Sequence, residues 1–365
     1  MMTLRKVMPA IILAATMIIG HGSANAQAKI NKDFEPFLTR GETTWAVKSG
    51  VRVNTFDWNI ASDITGNATP NILSELTWND ITLFEIEGEV RHEEPLDLSF
   101  VKGGLHLEAA INVGLPISGE NQDSDYNGDN RTLEFSRSLA DSDSGYSVGG
   151  TLAAGYKFYL TGDPKRRARN ILKTRTPQTT AGRARRAAAY RKAISRVTPV
   201  ITLTPLAGYG IDQQKYGMEG VTSVIPGGGV PIGANNFDWN YQANWYGPFL
   251  GLETAIKGKK NMVRLRGEYH MLDYYGEGFW RGRIGFRQDP SFTQEVEADG
   301  IKARAEYAYA LEDDVALTFD AHYEIREGED GIDKLNFANN TTAFTKLNEV
   351  NDQSYGAMLG LRYNW

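Results

Sequence analysis

The chain ends on GAMLGLRYNW, Gly356 to Trp365. Read back from the terminus, Trp365, Tyr363, Leu361, Leu359, Ala357 and Tyr355 put an apolar or aromatic side chain at every second position. Asn364, Arg362, Gly360, Gly356 and Ser354 hold most of the other parity. A period of two with one greasy face predicts a strand whose two faces meet different media. Alone, the pattern fits an edge strand of a soluble sandwich as well as a wall strand of a barrel, so the rest of the chain decides between them.

The rest repeats it. Val315, Leu317, Phe319, Ala321, Tyr323 and Ile325 alternate with Thr318, Asp320, His322, Glu324 and Arg326, and Ile301 to Leu311 does the same against Lys302, Arg304 and Glu306. Trp78, Phe84, Ile86 and Val90 oppose Glu85, Glu87, Glu89 and Arg91 in the same way, with Asp80 as an outlier. Ten strands are expected in all, at 45–53, 78–91, 101–113, 146–160, 199–216, 239–257, 263–271, 301–311, 315–326 and 356–365. Short connections near Glu94-Pro95, at 258–260 and at 312–314 alternate with long ones at 114–145, 217–238, 275–295 and 328–352. An all-β, ten-stranded antiparallel up-and-down transmembrane β-barrel reads this way when its turns face the periplasm and its loops face outward. The expected localisation is the outer membrane, in contact with its lipids and lipopolysaccharide.

Export is written at the other end. Arg5 and Lys6 precede the apolar run from Pro9 to Gly20, and Ala24-Asn25-Ala26 is a small-x-small site, so residues 1–26 read as a cleaved signal peptide and 27–365 as the barrel. Beyond that run no stretch is long and apolar enough for a membrane helix. The chain has no cysteine, which removes disulfide scaffolds and thiolate chemistry.

Charge is unevenly spread. The net charge is -6, yet Lys165 to Arg196 holds twelve Lys and Arg and no acid. This insertion, at about 162–198, stands where a tight periplasmic turn is due, and its Ala- and Arg-rich part from Arg183 to Arg196 favours a helix. Such a block suggests nucleic acid, but export argues for no nucleic acid. A periplasmic anionic polymer bound through Lys165 to Arg196 and a solvated insertion without a partner both fit. Acids and bases nearly balance on the polar parity of the strands, which implies a plugged ionic lumen; a small water-filled pore is the alternative. His106, His270 and His322 fall on that inner parity as members of the network. Trp239, Trp245, Phe279 and Trp280 suggest an interfacial aromatic belt or loop contacts.

One stretch could carry chemistry: Asp123-Ser-Asp125-Tyr-Asn127-Gly128-Asp129-Asn-Arg131-Thr-Leu-Glu134. Its spacing fits a calcium loop, with Asp123, Asp125, Asn127 and Asp129 as oxygen ligands and Glu134 as the closing carboxylate. Strand-like flanks and the cation of Arg131 count against calcium.

The same Asp-x-Asp-aromatic triplet, together with the ten strands, the export signal and the long outer loops, resembles the omptins, the outer-membrane aspartyl-type endoproteases. Segments such as Leu76-Thr77-Trp78, Leu206-Ala207-Gly208-Tyr209 and Pro248-Phe249-Leu250-Gly251-Leu252 carry the likeness through Trp45 to Trp365. The chain is similar also to surface proteins of chlamydia-like bacteria. The omptin resemblance implies that Asp123 and Asp125 polarise a water, with an Asp-x-His dyad on the far side. The matching loop, Leu272-Asp273-Tyr-Tyr-Gly-Glu277, has no histidine, and Asp320-Ala-His322 offers the spacing only in mid-strand. The expected function is therefore that of an omptin-like surface protein acting through its loops in a structural, adhesive or ligand-binding role. An endoprotease using Asp123, Asp125 and His322, and a small porin or channel, remain the alternatives.

Overall fold

The computed structural model describes residues 43–96, 103–161, 199–225, 239–312 and 314–364. The export signal at 1–26 and the basic insertion at 162–198 lie outside the described residues. Eleven strands follow in order: β1 (Thr43–Ile60), β2 (Ser74–Pro95), β3 (Gly103–Gly128), β4 (Thr132–Asp141), β5 (Gly145–Tyr159), β6 (Val200–Ile225), β7 (Trp239–Lys257), β8 (Asn261–Phe279), β9 (Phe292–Ala310), β10 (Val315–Asn336) and β11 (Thr342–Asn364). Ten of them close an antiparallel ring, β1-β2-β3-β5-β6-β7-β8-β9-β10-β11. The C-terminal strand seals it, with Thr44 opposite Asn364 and Trp45 opposite Tyr363.

The eleventh strand is the hairpin partner β4, which the alternation did not reveal. β3 is long enough to pair twice. Its lower half runs beside β5, and its upper half, Glu120 to Gly128, runs beside β4, which in turn bonds to the top of β6. Most of the expected long loops are likewise strand: β8, β9, β10 and β11 extend far above the membrane. There the outer face meets water in place of lipid, so nothing requires it to be apolar and the period-two signal fades. The expected common face of Trp78 and Phe84 is also corrected. Trp78 is fully buried and Phe84 is exposed, because the register shifts around Asp80, whose φ is 52°. One extra residue there switches the parity of the strand.

Side-chain direction then sorts the protein into layers. Outward lie Val47, Ile86, Ile111, Leu250, Leu265, Ile301, Phe319, Leu359 and Leu361, all exposed. Exposed tyrosines bound this belt, with Tyr307, Tyr309 and Tyr363 toward the periplasmic end and Tyr209, Tyr246, Tyr269, Tyr323 and Tyr355 toward the outer end. Inward, the lumen is filled by ion pairs. Lys48 Nζ lies 3.0 Å from Glu87, 3.2 Å from Glu89, 3.4 Å from Glu306 and 3.7 Å from Asp320. Arg91 reaches Glu89 at 2.5 Å, Glu253 at 2.7 Å and Glu108 at 3.2 Å, and Arg362 reaches Glu306 at 2.7 Å. Higher up, Arg326 joins Glu324 at 2.7 Å and both Asp212 and Asp352 at 3.3 Å. The three inner histidines sit in this network, His270 for instance 2.9 Å from Glu268. A buried charge is tolerated only when matched in this way.

Over the ions lies a lid of rings. Phe56, Trp58, Trp78, Tyr216, Tyr241, Trp245, Tyr274 and Phe292 are buried together, and Tyr216 stacks on Phe56 with centroids 5.2 Å apart. Trp239, Trp245 and Trp280 are 3%, 1% and 4% exposed, so these residues build the inner lid and do not form an interfacial belt.

Lys48 carries the sharpest consequence. Lys48→Met should destabilise the barrel by about 3–5 kcal/mol, since it leaves a carboxylate cluster short of a cation, while Lys48→Arg should cost less. Denaturant unfolding in detergent micelles measures both.

Candidate functional site at the extracellular mouth

Above the aromatic lid the barrel opens into a cavity of about 380 Å³. Its walls are Trp58 and Ile60 of β1, Ser74 and Leu76 of β2, Asp123 and Asp125 of β3, Phe135 of β4 and Asp333 and Leu335 of β10. Trp280, Arg283 and Phe286 from the connection after β8 complete it, with Ser291 and Phe292. Two residues apart on a strand, Asp123 and Asp125 share a face, with Cα atoms about 6.6 Å apart.

Their neighbours make them unequal. Register places Asp125 between Ser74 of β2 and Ser136 of β4, and both serines hydrogen-bond its carboxylate. Asp123 lies between Leu76 and Ser138, and its Oδ1 is buried without a hydrogen-bond partner. Burial, then the charge of Asp125, push the Asp123 carboxyl up to about 7 against the relief that Arg283 gives. Burial also raises Asp125, while the two serines and Arg283 pull it back. The pair thus has unequal surroundings, with Asp123 holding its proton the more tightly of the two.

Across the mouth, Asp333 is fully buried. It accepts a hydrogen bond from Gln294 Nε2 at 3.1 Å and one from Thr345 Oγ1 at 3.1 Å. Burial still pushes its carboxyl up to about 7. Gln294 in turn accepts from the Tyr241 hydroxyl at 2.5 Å, which ties the mouth to the lid. Neither Asp333 nor Arg283 was singled out from the sequence, because both stood in stretches expected to be loop. The run Ile332-Asp333-Lys334-Leu335 does not alternate apolar with polar residues, so no period-two signal marked it.

The remaining expected site residues separate. His322 lies in the ionic lumen, 3.8 Å from Asp320. Eleven residues below Asp333 on the same strand, it is about 36 Å away along β10. None of the cavity-lining residues is a histidine. The calcium-loop set does not converge either. Asp123, Asp125 and Asn127 lie on an extended strand, Asp129 accepts from Thr69 and the Asn71 amide at the hairpin tip, and Glu134 grips Arg137 at 2.6 Å. A calcium loop must wrap its ligands round one point, and a hairpin holds them apart. Among the described residues no group of three or more His, Cys, Asp or Glu is placed to hold a metal ion.

Two predictions follow from this geometry. Millimolar calcium should leave the thermal unfolding of the barrel unshifted, as read by circular dichroism. The raised carboxyls have the opposite sign to an ordinary salt bridge: the folded state keeps protons that the unfolded chain has released. Their contribution to stability is therefore full below the ordinary value of 3.8 and is lost as pH rises through about 7. The unfolding temperature should fall over that range, and the Asp123→Asn/Asp333→Asn double variant should flatten the fall.

Comparison with known proteins follows the fold. The structure of the outer membrane protease OmpT from Escherichia coli aligns with a TM-score of 0.59, over 92% of this chain and 99% of that one, at 14% identity. At that identity the likeness is one of fold alone. The transport unit of the autotransporter AIDA-I from Escherichia coli covers 96% of this chain and 97% of its own at 8% identity and a TM-score of 0.32. The outer membrane protein OprG from Pseudomonas aeruginosa covers 90% and 98% at 8% and 0.29. No curated protein sequence matches the chain. The model of the Protochlamydia outer membrane protein family matches residues 46–168 and 186–365. This chain, an outer-membrane β-barrel of omptin-like fold, belongs to that family.

Proposed function

We propose that this protein is a ligand-binding surface protein of the outer membrane, working through the cavity at its extracellular mouth, with residues 1–26 as its cleaved export signal. The observation that carries this is the stacking of an open pocket on a closed lumen. Beneath the cavity come a ring lid and then a lumen of matched charges, so a solute that enters from outside meets a floor. Ligand pockets typically combine apolar walls with a few convergent polar groups, and here apolar walls from Trp58, Leu76, Trp280 and Phe292 surround Asp123, Asp125 and Asp333. The outer lipids and lipopolysaccharide would contact the apolar belt, and the basic insertion from Lys165 to Arg196 would reach an anionic periplasmic polymer.

A specific observation keeps a peptidase in view: Asp123 and Asp125 face the open cavity with unequal surroundings, as carboxylates that share a water would. Against it, the pocket offers no imidazole. Two experiments separate these roles. In planar bilayers the refolded barrel should give no steady single-channel steps, and their appearance would overturn the closed lumen. A quenched peptide library should stay uncut; cleavage that disappears in Asp125→Asn would replace the binding role with an enzymatic one.

A further inference from the structure

We propose that the mouth cavity is a quaternary-ammonium site, taking the trimethylammonium end of a phosphocholine-type group against its aromatic corner and Asp123, with the adjoining phosphate toward Arg283. This rests on the mouth being a binding pocket and names what the pocket takes.

Three rings shape the corner. Phe292 stands at 63° to Trp58 with centroids 5.5 Å apart, and at 67° to Trp280 at 4.7 Å. Trp280 stacks one face on Trp239 with centroids 6.3 Å apart, and the three rings, though nearly buried, each border the cavity. A cation on such faces is attracted by the ring quadrupoles, most strongly where water is excluded. The mouth already shows the interaction, with the Arg283 guanidinium 5.7 Å from the centroid of Phe286.

Hydrogen-bond supply then narrows the cation. A primary ammonium brings three donors and needs acceptors for each. Asp125 is committed to Ser74 and Ser136, and Asp333 to Gln294 and Thr345. Asp123 keeps one buried oxygen with no donor on it. One free acceptor among ring walls poorly satisfies an ammonium with three N–H groups, which would lose water without replacement. A methylated ammonium has no N–H to satisfy and asks only for charge and ring contact. Once ionised, the three aspartates carry more negative charge than Arg283 offsets, and Arg283 makes no close ion pair with any of them that would exhaust it. A zwitterion with a phosphate beside the trimethylammonium matches this arrangement of three carboxyls and one guanidinium.

The test uses the full-length refolded barrel in a detergent without choline groups, followed by tryptophan fluorescence, since Trp58 and Trp280 line the cavity. Phosphocholine and tetramethylammonium should bind. Methylammonium and the neutral tert-butyl isostere of choline should bind about tenfold more weakly or less, the scale of one desolvated cation–π contact. Asp123→Asn should lower phosphocholine affinity by a similar factor while circular dichroism stays unchanged, and Arg283→Gln should weaken phosphocholine but spare tetramethylammonium. The charged groups facing Asp123 are Asp125 on β3, Asp333 on β10 and Arg283 after β8. A cation bound there favours the ionised carboxyl, so wild-type affinity should rise with pH up to about 7 and then level off, and the rise should vanish in Asp123→Asn.

Equal binding of the neutral isostere would overturn the cationic class and leave an apolar pocket standing. Equal binding of methylammonium would overturn the methylated class in favour of ordinary amines. Failure of every probe would overturn the quaternary-ammonium assignment, while the pocket reading itself stands or falls on the planar-bilayer and peptide tests. Co-flotation with phosphatidylcholine vesicles but not phosphatidylglycerol vesicles would assign the site to a lipid headgroup. Binding of free phosphocholine without co-flotation would assign it to a solute.

Discussion

The constraint on which the molecule depends is that no charge in the lumen can go unmatched. A ring of ten strands encloses a space narrow enough for side chains to fill, and alternation sends every second residue into it. Lys48 lies within reach of four carboxylates, and those carboxylates are shared with Arg91, Arg264, Arg304 and Arg362 from other strands. Several of these pairs join strands distant in sequence, Lys48 of β1 with Glu306 of β9 and Arg304 of β9 with Glu87 of β2. The network closes the pore and fixes the ring at once, which is why a conduit and this interior are difficult to combine.

Above the ions the polarity reverses, and that reversal makes the mouth a site. The lid of Trp58, Trp78, Tyr241, Tyr274 and Phe292 separates the lumen from the cavity. Water is thin there, so the Asp123 and Asp333 carboxyls hold their protons far above the ordinary range, whereas the lumen carboxylates below have cations beside them. The same residue type thus does two jobs, set by what faces it. Tyr241 and Gln294 join the two regions, and a change at Asp333 would be felt in the lid.

The barrel was legible in the sequence wherever the strand crosses lipid. Tyr355 to Tyr363 and Val315 to Ile325 must show grease outward and polarity inward, so period two was obligatory. Above the bilayer that obligation lapses, and β4 and the tops of β8 to β11 passed for loop. Asp123 and Asp125 were found through their spacing and the family likeness. Asp333 and Arg283 were not, since Asp333 joins the cavity through strand pairing and Arg283 through the course of the connection after β8, neither of which the sequence displays. The parity switch at Asp80 shows a related limit: a single bulge sends Trp78 inward and Phe84 outward although both occupy even positions.

The incomplete omptin pattern gains a physical sense from these layers. The cavity keeps the paired aspartates and lacks an imidazole, but its far wall carries a buried carboxyl, Asp333, beside Trp280 and Phe292. An imidazole there would assist proton transfer from a water. A buried carboxyl among rings, pushed up to about 7 and with its two oxygens engaged by Gln294 and Thr345, has no oxygen free to draw a proton from a water. Replacing one by the other shifts the mouth from moving protons toward holding charge. The ring closes without the mouth, which lies above the ionic lumen, while Asp333 stays tied to the lid through Gln294 and Tyr241.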